Sequence, residues 1–572
     1  MIQRNHLLAL AFGASLSLAA CSHEDAAPAA PAAPAAQPQA PAGPVAQATP
    51  SPATEKAAPL VDDTRETLHD MVPDDTVLWL EIDSFDRLVE AFRTAAGDGP
   101  DAEASMVNPE EALAMLPMLG LPSDRLIRDK PLVVALSLEL GQTQPRFSVM
   151  LPVLKPQHTA KAMNEASGGE NKVMAQGDYV VLTNRSVLES RGDAGADYAS
   201  VRGDALLGMR IDLARLMQRY GPQVEAGLHA AAMGQGFGQS PSEAAGLKLG
   251  TDWLRTLTNG LSSLQVRMNL EGSNLAFESS LQLKEGSKLC EIGSDDAQDL
   301  ASMLRYAHVG QDELMVGSLR RQALAFVADP LLAWYESMPE TPGQASPRGA
   351  YEAALELLSG DSVDFAVVGS PQNLGVFVQG MESTSLVSFL ERTLETYLTD
   401  LPDLSLMAPR KGEDEASRFA QYDWIPNTGT PAVRNLKNAF GQPRMRLRLL
   451  GHGDETMATL GEGAPFLTRT EEASVQVPTA LAWAFEHAQG ASPALVSHTR
   501  LSGSEFERMG SELSGGTLPG LPTNEATHDA WVTSYMAMGK NEWRMGFQVD
   551  LKDLAEQAKA VVASGAAFAL PR

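Results

Sequence analysis

The chain repeats one local pattern, in which a short apolar strand ends at Asp and is followed directly by an amphipathic helix. Apolar residues after the Asp return at the i, i+3, i+4 and i+7 spacing of one helix face. The Asp, or Ser84 beside it in the first copy, can cap the open amides of the helix N-terminus, so we predict a structural role for these aspartates. The copies are Ile82-Asp83 with Phe85, Leu88, Val89 and Phe92; Ile211-Asp212 with Leu213, Leu216, Met217 and Tyr220; and Val549-Asp550 with Leu551, Leu554, Ala555 and Ala558.

Strict alternation of apolar and polar residues predicts two antiparallel hairpins. The first covers 261–283 and the second 529–549, and both turn at short polar segments. In the first, Gln265, Arg267 and Asn269 alternate with apolar neighbours. Each hairpin is therefore expected to bury one face and to leave the other face hydrated.

The order of these elements indicates an internal duplication with its boundary between 300 and 312. It divides the body into predicted domains 62–305 and 306–572. The local similarity between Val181-Leu182-Thr183 and Phe466-Leu467-Thr468 helps to align the two halves of the sequence. The matched ranges are 76–96 with 312–336, 131–153 with 362–380 and the helix from Ser385, 177–183 with 461–468, 205–220 with 494–513, and 261–283 with 529–549.

The two predicted halves differ in length because each has its own insertion. Residues 400–445 are extra in the second half and 223–256 in the first. The second of these contains the glycine-rich stretch 234–238. No strand leads into that stretch and it lacks the G-x-G-x-x-G spacing, so we interpret it as a flexible linker and not as a phosphate cradle.

Residues 1–20 have the pattern of a secretory signal, with Arg4 before the apolar stretch 7–18. The sequence Leu18-Ala19-Ala20-Cys21 resembles the lipobox of bacterial lipoproteins. The resemblance implies that Cys21 is acylated and becomes the first residue of the mature protein, held stably by several acyl chains. Ser22 after the cysteine implies the outer membrane under the sorting rule of Gram-negative lipoproteins. The alternative is an ordinary cleaved signal in which Cys21 is incidental.

Residues 21–61 are expected to form the lipidated cysteine and a disordered tether. From 26 to 60 the chain is almost wholly Ala, Pro, Gln, Ser and Thr, which favours extended polyproline conformations. At about 3.1 Å per residue such a tether could reach roughly 100 Å. No later apolar run approaches the length needed to cross a bilayer, so the body from about Asp62 is expected to be soluble.

A second resemblance concerns the start of the body. Pro73-Asp74-Asp75-Thr76, followed by a strand and an Asp-capped helix, resembles the opening of large exported bacterial proteins whose repeats begin with a Pro-x-Asp-Thr turn. This group has no established activity. The resemblance implies an envelope location and an α+β architecture, and it supplies no functional residues.

The charge balance argues against one class of partner. The chain has 44 Lys and Arg against 72 Asp and Glu, a formal net charge of −28, and a pI near 4.8. Phosphate backbones and anionic headgroups bind concentrated cationic surface, so no nucleic-acid partner is expected. An acidic surface of this kind keeps a protein soluble and indicates no specific function by itself.

Two cysteines in this length exclude a disulfide framework, because a lipidated Cys21 leaves Cys290 without an intrachain partner. Cys290 follows the apolar run 281–289. We expect it to be a small buried hydrophobic residue and not a nucleophile.

The sequence contains no nucleophile elbow, zinc helix, Walker loop or EF-hand loop. Its ten histidines are scattered; His487 and His498 are the closest pair outside the signal, and their spacing is not that of metal ligands. His452 is expected in a polar turn. Asp361 and Asp364 begin a predicted strand, where turn or capping duty is favoured over paired-carboxylate catalysis.

Two further patterns admit metal hypotheses that we do not favour. The acidic clusters 295–299 and 413–415 lack the glycine and terminal glutamate of a calcium loop, so they are interpreted as solvated charge. The pairs Met115/Met118 and Met536/Met538 admit a copper hypothesis, but they lie on apolar periodic stretches where Met commonly fills the core.

Together these patterns predict an α+β protein of two related lobes, each an antiparallel sheet with helices packed on one face, anchored by lipid at the periplasmic face of the outer membrane. The favoured function is non-catalytic binding or scaffolding of an envelope protein or an apolar ligand, without cofactor or metal. One alternative is an envelope hydrolase whose site is assembled between the lobes from residues such as Asp361, Asp364 or His452. The other is a purely structural surface lipoprotein.

Overall fold

The computed structural model describes residues 68, 73, 75–96, 123–137, 146–166, 172–184, 205–234, 241–295, 300–306, 313–336, 348, 352, 355–358, 360–370, 373–397, 404–414, 417–427, 444–461, 477–501 and 530–553. The predicted signal, the predicted lipidation site Cys21 and the predicted tether lie outside these residues, as do Met115 and Met118.

Strands dominate the described part of the chain, as the alternating apolar and polar positions predict. They are β1 (Thr76–Ile82), β2 (Leu132–Ser137), β3 (Arg146–Pro152), β4 (Lys172–Gln176), β5 (Tyr179–Thr183), β6 (Leu207–Asp212), β7 (Leu261–Glu271), β8 (Asn274–Leu283), β9 (Glu313–Arg320), β10 (Ser362–Ser370), β11 (Asn373–Gln379), β12 (Leu404–Leu406), β13 (Arg410–Glu413), β14 (Ser417–Pro426), β15 (Met445–His452), β16 (Glu455–Gly461), β17 (Ala494–Leu501), β18 (Ala530–Met538) and β19 (Glu542–Asp550).

Helices connect many of these strands. They are α1 (Phe85–Ala96), α2 (Pro156–Ala166), α3 (Leu213–Gly234), α4 (Pro241–Gly260), α5 (Leu289–Ile292), α6 (Arg321–Glu336), α7 (Ser383–Tyr397) and α8 (Thr479–Ala488), together with the 3₁₀ segments Ser123–Arg125 and Leu300–Tyr306.

The predicted caps are present at the helix starts. Ser84 Oγ accepts a hydrogen bond from Arg87 N at 3.2 Å, and Asp212 Oδ1 accepts one from Arg215 N at 2.9 Å. In the third copy Asp550 Oδ1 accepts one from Lys552 N at 2.8 Å. These side chains satisfy amides that open a helix, which is the structural role predicted for them.

All named strands belong to one antiparallel sheet, so the mixed α and β architecture is confirmed. The spatial order is β4-β5-β3-β2-β1-β6-β7-β8-β19-β18-β17-β9-β10-β11-β16-β15-β14, and both β12 and β13 pair with β14. The predicted hairpins are confirmed as β7–β8 and β18–β19. At the centre β8 pairs with β19, with Phe277 opposite Phe547. The expected separate lobes are therefore replaced by a continuous open sheet.

Outward from the β8–β19 junction, the two halves of the sheet have the same strand order. β8, β7, β6, β1, β2, β3 and β5 match β19, β18, β17, β9, β10, β11 and β16 in turn. The position of β5 is taken in the second half by β16 at 455–461; of the predicted counterpart 461–468, all but Gly461 lies outside the described residues. The turns that precede β5 and β16 are alike, because Gly177 and Gly453 have positive φ angles of 56° and 59°.

The sheet has two faces, defined here by residues at the junction. Face A carries the side chain of Tyr535, and face B carries that of Phe547. Side chains alternate between the two faces along each strand, and residues paired directly across neighbouring strands lie on the same face. On face A the second half is covered by α8 and the 3₁₀ helix Leu300–Tyr306, which form one core with strand residues such as Val316 and Phe377. A boundary after residue 305 would divide this 3₁₀ helix, whose buried residues pack with the second half.

Face B is covered by other helices. Ala323 of α6 joins Leu283 and Trp543 in one buried cluster, and α7 lies over β15, where Val387 approaches Gly451. In the first half, Ala91 of α1 also packs on this face. The expectation that helices occupy one face is therefore wrong: they cover both faces, because an amphipathic stripe determines that a helix is buried but not on which side of the sheet it lies.

Candidate functional site

The centre of face A is polar, in contrast to the apolar cores on either side. Ten polar side chains of β6, β7, β8 and β19 follow one another across this face, and we call them the polar strip. The alternation of the two hairpins explains the strip, since the same strands place their apolar residues on face B. Its members are Arg210, Asp212, Ser263, Gln265, Arg267, Glu278, Ser280, Gln282, Glu542 and Arg544.

An ion pair links the two halves above this strip. His487 of α8 places Nε2 3.1 Å from Glu278 Oε1, and its Nδ1 lies 2.8 Å from the carbonyl oxygen of Trp483. A carbonyl oxygen can only accept, so Nδ1 carries a proton, and a second proton on Nε2 satisfies the carboxylate. The hydrogen bond to Glu278 raises the pKa of His487, and the same bond lowers the pKa of Glu278.

We expect the His487 imidazole to titrate above its ordinary pKa, and the Glu278→Gln variant to return that pKa toward the ordinary value. Because the folded-state pKa is raised, the stabilisation from this pair is complete below the unfolded pKa and is lost as pH rises through the folded pKa. An NMR titration of the histidine ring protons measures both. An unchanged His487 titration in Glu278→Gln would exclude the carboxylate as the cause.

Aromatic rings hold His487 in place. The centroid of its ring lies 5.1 Å from Trp483 and 5.3 Å from Tyr535, and those two rings meet edge to face at 5.2 Å. Gly546 beneath them leaves the necessary space, because a Cβ there would lie 2.7 Å from the Tyr535 ring and 3.2 Å from Trp483. Burial also raises the pKa of the Tyr535 hydroxyl. The pair is thus positioned by packing as well as by charge.

A second polar contact crosses the junction along the strip. Gln282 Nε2 donates to Glu542 Oε1 at 2.7 Å, and Ser280 Oγ donates to the same carboxylate oxygen. Arg544 donates to the carbonyl oxygen of Gln489 at 3.2 Å. These contacts connect β8 of the first half to β19 and to the end of α8, so the strip joins the halves instead of separating them.

A cleft of about 770 Å³ opens beside the polar strip. Its floor comes from β6 and β7 and its walls from α3 and the end of α4, so it lies within the first half and not between the halves. Its lining residues are Arg210, Asp212, Ala214, Arg215, Met217, Gln218, Gly221, Pro222, Thr258, Asn259, Ser262, Ser263 and Lys284.

Face B at the junction exposes apolar side chains. Met545 and Phe547 on β19 are 38% and 43% exposed, although they lie on a central strand of the sheet. Phe277 stacks on Phe547 with ring centroids 5.0 Å apart. We call these three residues the junction patch. Exposed apolar side chains that lie together on one strand face are candidates for contact with a partner.

The structure does not bring the candidate hydrolase residues together. Asp361 is exposed before β10, and its carbonyl oxygen accepts a hydrogen bond from Arg321 N at 2.8 Å. Asp364 and the exposed His452 share face A, but β11 and β16 lie between their strands. At about 4.8 Å per strand spacing they stand roughly 14 Å apart. These residues form no shared acid–base site.

The other residues singled out in the sequence have local partners. His498 on β17 contacts Thr533 at 2.9 Å and is separate from His487. Cys290 is half-buried, and its thiol lies 3.3 Å from both Ser287 Oγ and the carbonyl oxygen of Lys284. Among the described residues, no group of three or more His, Cys, Asp or Glu side chains is placed to hold a metal ion.

The acidic clusters serve turns and ion pairs where they are described. Asp295 Oδ1 accepts a hydrogen bond from Lys540 N at 3.0 Å, and Asp414 accepts two from Ser417 at 2.7 Å. Glu413 lies 3.2 Å from Arg418. Met538 packs against the cluster around Trp543 on face B. These contacts are structural.

The sequence did not identify the residues of the polar strip and the cleft as a site. The signal available was the charge on alternate positions of the hairpins, such as Arg267 and Glu278. Their partners come from distant segments, and no local pattern connects Glu278 to His487.

Comparison with known proteins gives little further information. No protein-family model and no curated protein matches the chain. A solved structure titled "Structure of crystal form I of TP0453" matches at 10% sequence identity and a TM-score of 0.19, covering 46% of this chain and 98% of that one. A similarity this low carries no argument. In the described part of the chain, no helix has both the length and the apolar character needed to span a membrane.

Proposed function

We propose that this protein is a lipid-anchored protein of the bacterial envelope that binds a protein partner through the junction patch, without catalysis. The signal pattern, Cys21 and the Pro/Ala-rich segment 26–60 support the anchor and its reach. The outer membrane is the proposed location because Ser22 follows the cysteine.

The observation that carries the proposal is the exposure of Met545 and Phe547 in the middle of the sheet. Covering either side chain fully would contribute about 2 kcal/mol to binding. A small apolar ligand requires a concave pocket that surrounds it, whereas these side chains lie on an open strand face. A second copy is disfavoured because each copy has a net charge of −28. The patch therefore favours a different protein.

We also propose that the two halves are related lobes that arose by duplication and share one sheet. Their matching strand order and the glycine turns at Gly177 and Gly453 support this origin. In this interpretation the pairing of β8 with β19 created the junction, and with it a surface that neither half has alone.

Site-specific photo-crosslinking in cells tests the partner proposal. A photoreactive side chain at position 547 of the full lipid-anchored chain should give a discrete protein adduct. The matched control is position 425, since Ile425 is 41% exposed on β14, away from the junction. We expect the adduct from 547 and not from 425.

A second substitution makes the test specific. Met545→Ser should reduce the adduct formed at 547, because it removes apolar surface from the same patch. Met407→Ser removes a side chain that is 50% exposed elsewhere and should leave the adduct unchanged. Equal adducts from 547 and 425, or an adduct of lipid mass, would contradict binding of a protein at this patch.

A further inference from the structure

The cleft in the first half has a composition that the acidic chain does not lead one to expect. Three cationic side chains, Arg210, Arg215 and Lys284, line it together with one carboxylate, Asp212. The whole chain has the opposite balance, with 72 acidic residues against 44 basic ones. Cations concentrated in a concave site raise the local concentration of anions.

The single carboxylate of the cleft is already engaged. Asp212 accepts the Arg215 amide at 2.9 Å, and its other oxygen lies 3.3 Å from the Arg215 guanidinium. It thereby caps α3, whose N-terminus carries a partial positive charge into the same space. Among the lining side chains the cations outnumber the carboxylate by three to one.

A buried hydroxyl group points to a ligand independently of the charges. Ser263 is 2% exposed, lines the cleft, and its Oγ has no hydrogen-bond partner among the described residues. A buried polar group without a partner is costly, and native proteins rarely leave one unsatisfied. A bound molecule in the cleft would provide the missing partner.

The remaining walls indicate an organic molecule and not a bare ion. Met217 and Pro222 of α3 offer an apolar side, while Thr258, Asn259 and Ser262 offer hydroxyl and amide groups. The volume of about 770 Å³ is in the usual range for small-molecule sites.

We propose that this cleft binds a small organic anion whose phosphate or carboxylate group lies between Arg210, Arg215 and Lys284 and is hydrogen-bonded by Ser263. The carbon skeleton of the ligand then lies along α3. Phosphate and carboxylate groups can both accept two parallel hydrogen bonds from a guanidinium group. The proposed ligand class is therefore small organic molecules that carry either acid group. This site is separate from the junction patch and stands whether or not a protein binds there.

Isothermal titration calorimetry on the full lipidated chain in detergent micelles tests the proposal, with citrate and glycerol 3-phosphate as probes at constant ionic strength. We expect saturable one-to-one binding of at least one probe. Binding of citrate alone identifies the carboxylate class, and binding of glycerol 3-phosphate alone identifies the phosphate class. No saturable binding of either probe overturns the proposal.

Variants connect any binding to this cleft. Ser263→Ala and Lys284→Gln should each weaken binding about tenfold, as expected for the loss of one hydrogen bond to a charged group. Lys161→Gln removes the same charge from an exposed position on α2 and should bind like the wild type. If Lys284→Gln and Ser263→Ala both bind like Lys161→Gln, with unchanged thermal unfolding, the ligand is not in this cleft and the proposal is overturned.

Discussion

Arg418→Met is expected to destabilise the protein by about 3 kcal/mol, because it leaves a buried carboxylate without its cation. Glu391 of α7 is 2% exposed, and its Oε2 accepts hydrogen bonds from Arg418 Nε at 3.0 Å and from a terminal Arg418 nitrogen at 2.6 Å. Its Oε1 has no hydrogen-bond partner among the described residues, and Lys411 Nζ lies 3.8 Å from it. Lys411 alone cannot replace the guanidinium.

The pair connects α7 to β14, and through Lys411 to β13. The hydrogen bond to Glu391 raises the pKa of Arg418, so the guanidinium keeps its charge. The cost of the substitution arises because the carboxylate stays desolvated while its attraction to Arg418 is lost.

Urea unfolding at pH 7 measures the loss as a shift in the midpoint. The double variant Glu391→Met/Arg418→Met should recover most of the stability, since it removes both charges and fills the space with apolar atoms. Lys130→Met is the matched surface control: it breaks a 2.7 Å pair with Asp178 whose side chains are 28% and 60% exposed, and should cost less than about 0.5 kcal/mol. Equal losses for Arg418→Met and Lys130→Met would show that burial of Glu391 adds no cost.

The sequence of α7 contains a local indication of this buried charge. Val387, Glu391 and Leu394 follow the i, i+4, i+7 spacing, so Glu391 lies on the apolar stripe of α7. A charged residue on such a stripe requires a partner. That partner is on β14, in the region predicted only as an insertion at 400–445, and no local pattern could select Arg418 among the cations there.

Local features of the fold could be predicted, and long-range pairing could not. The alternation of apolar and polar residues predicted both hairpins and their polar faces, because successive side chains of a strand point to opposite faces of the sheet. The pairing of β8 with β19 follows from no local signal, because any strand of suitable pattern can add to an exposed sheet edge. The strand that takes the position of β5 in the second half follows the glycine turn at 453, which pattern matching on apolar residues did not select.

For the polar strip and the junction patch as well, local features could be predicted and those that depend on tertiary packing could not. Polar alternation at Arg267 and Glu278 indicated a hydrated face, and this prediction agrees with the polar strip on face A. The exposed side of β19 was not predictable, because Met545 and Phe547 belong to an apolar pattern that ordinarily indicates burial. Their exposure depends on which helices cover face B, and that is decided by tertiary packing.

The largest pH effect is expected from His498, which should cost the fold about 3 kcal/mol as pH falls from 7 to 4. Its side chain is 3% exposed on β17 and stacks on Trp531 with ring centroids 4.4 Å apart. Thr533 Oγ1 donates to the carbonyl oxygen of Ala480 at 3.3 Å, so the His498 Nδ1–H donates to that hydroxyl at 2.9 Å. This arrangement suits a neutral imidazole.

Burial lowers the pKa of His498 from 6.5 to about 4. Between these values the unfolded chain binds a proton that the folded protein does not, so stability falls as pH falls through this range. This is opposite to His487, whose raised pKa makes its contribution largest in acid. The two histidines must therefore be separated by mutation and not by pH alone.

His498→Gln removes the titrating group while keeping a side chain that can hydrogen-bond to Thr533. We expect this variant to be less stable than the wild type at pH 7 but to lose about 3 kcal/mol less between pH 7 and pH 4, because no buried imidazole has to be kept neutral. Urea unfolding at pH 7, 5.5 and 4 measures the difference, with His487→Gln as the control that should change the pH profile in the opposite direction. Parallel profiles for His498→Gln and the wild type would mean that His498 is protonated in the folded protein without penalty, and that stacking on Trp531 does not require the neutral ring.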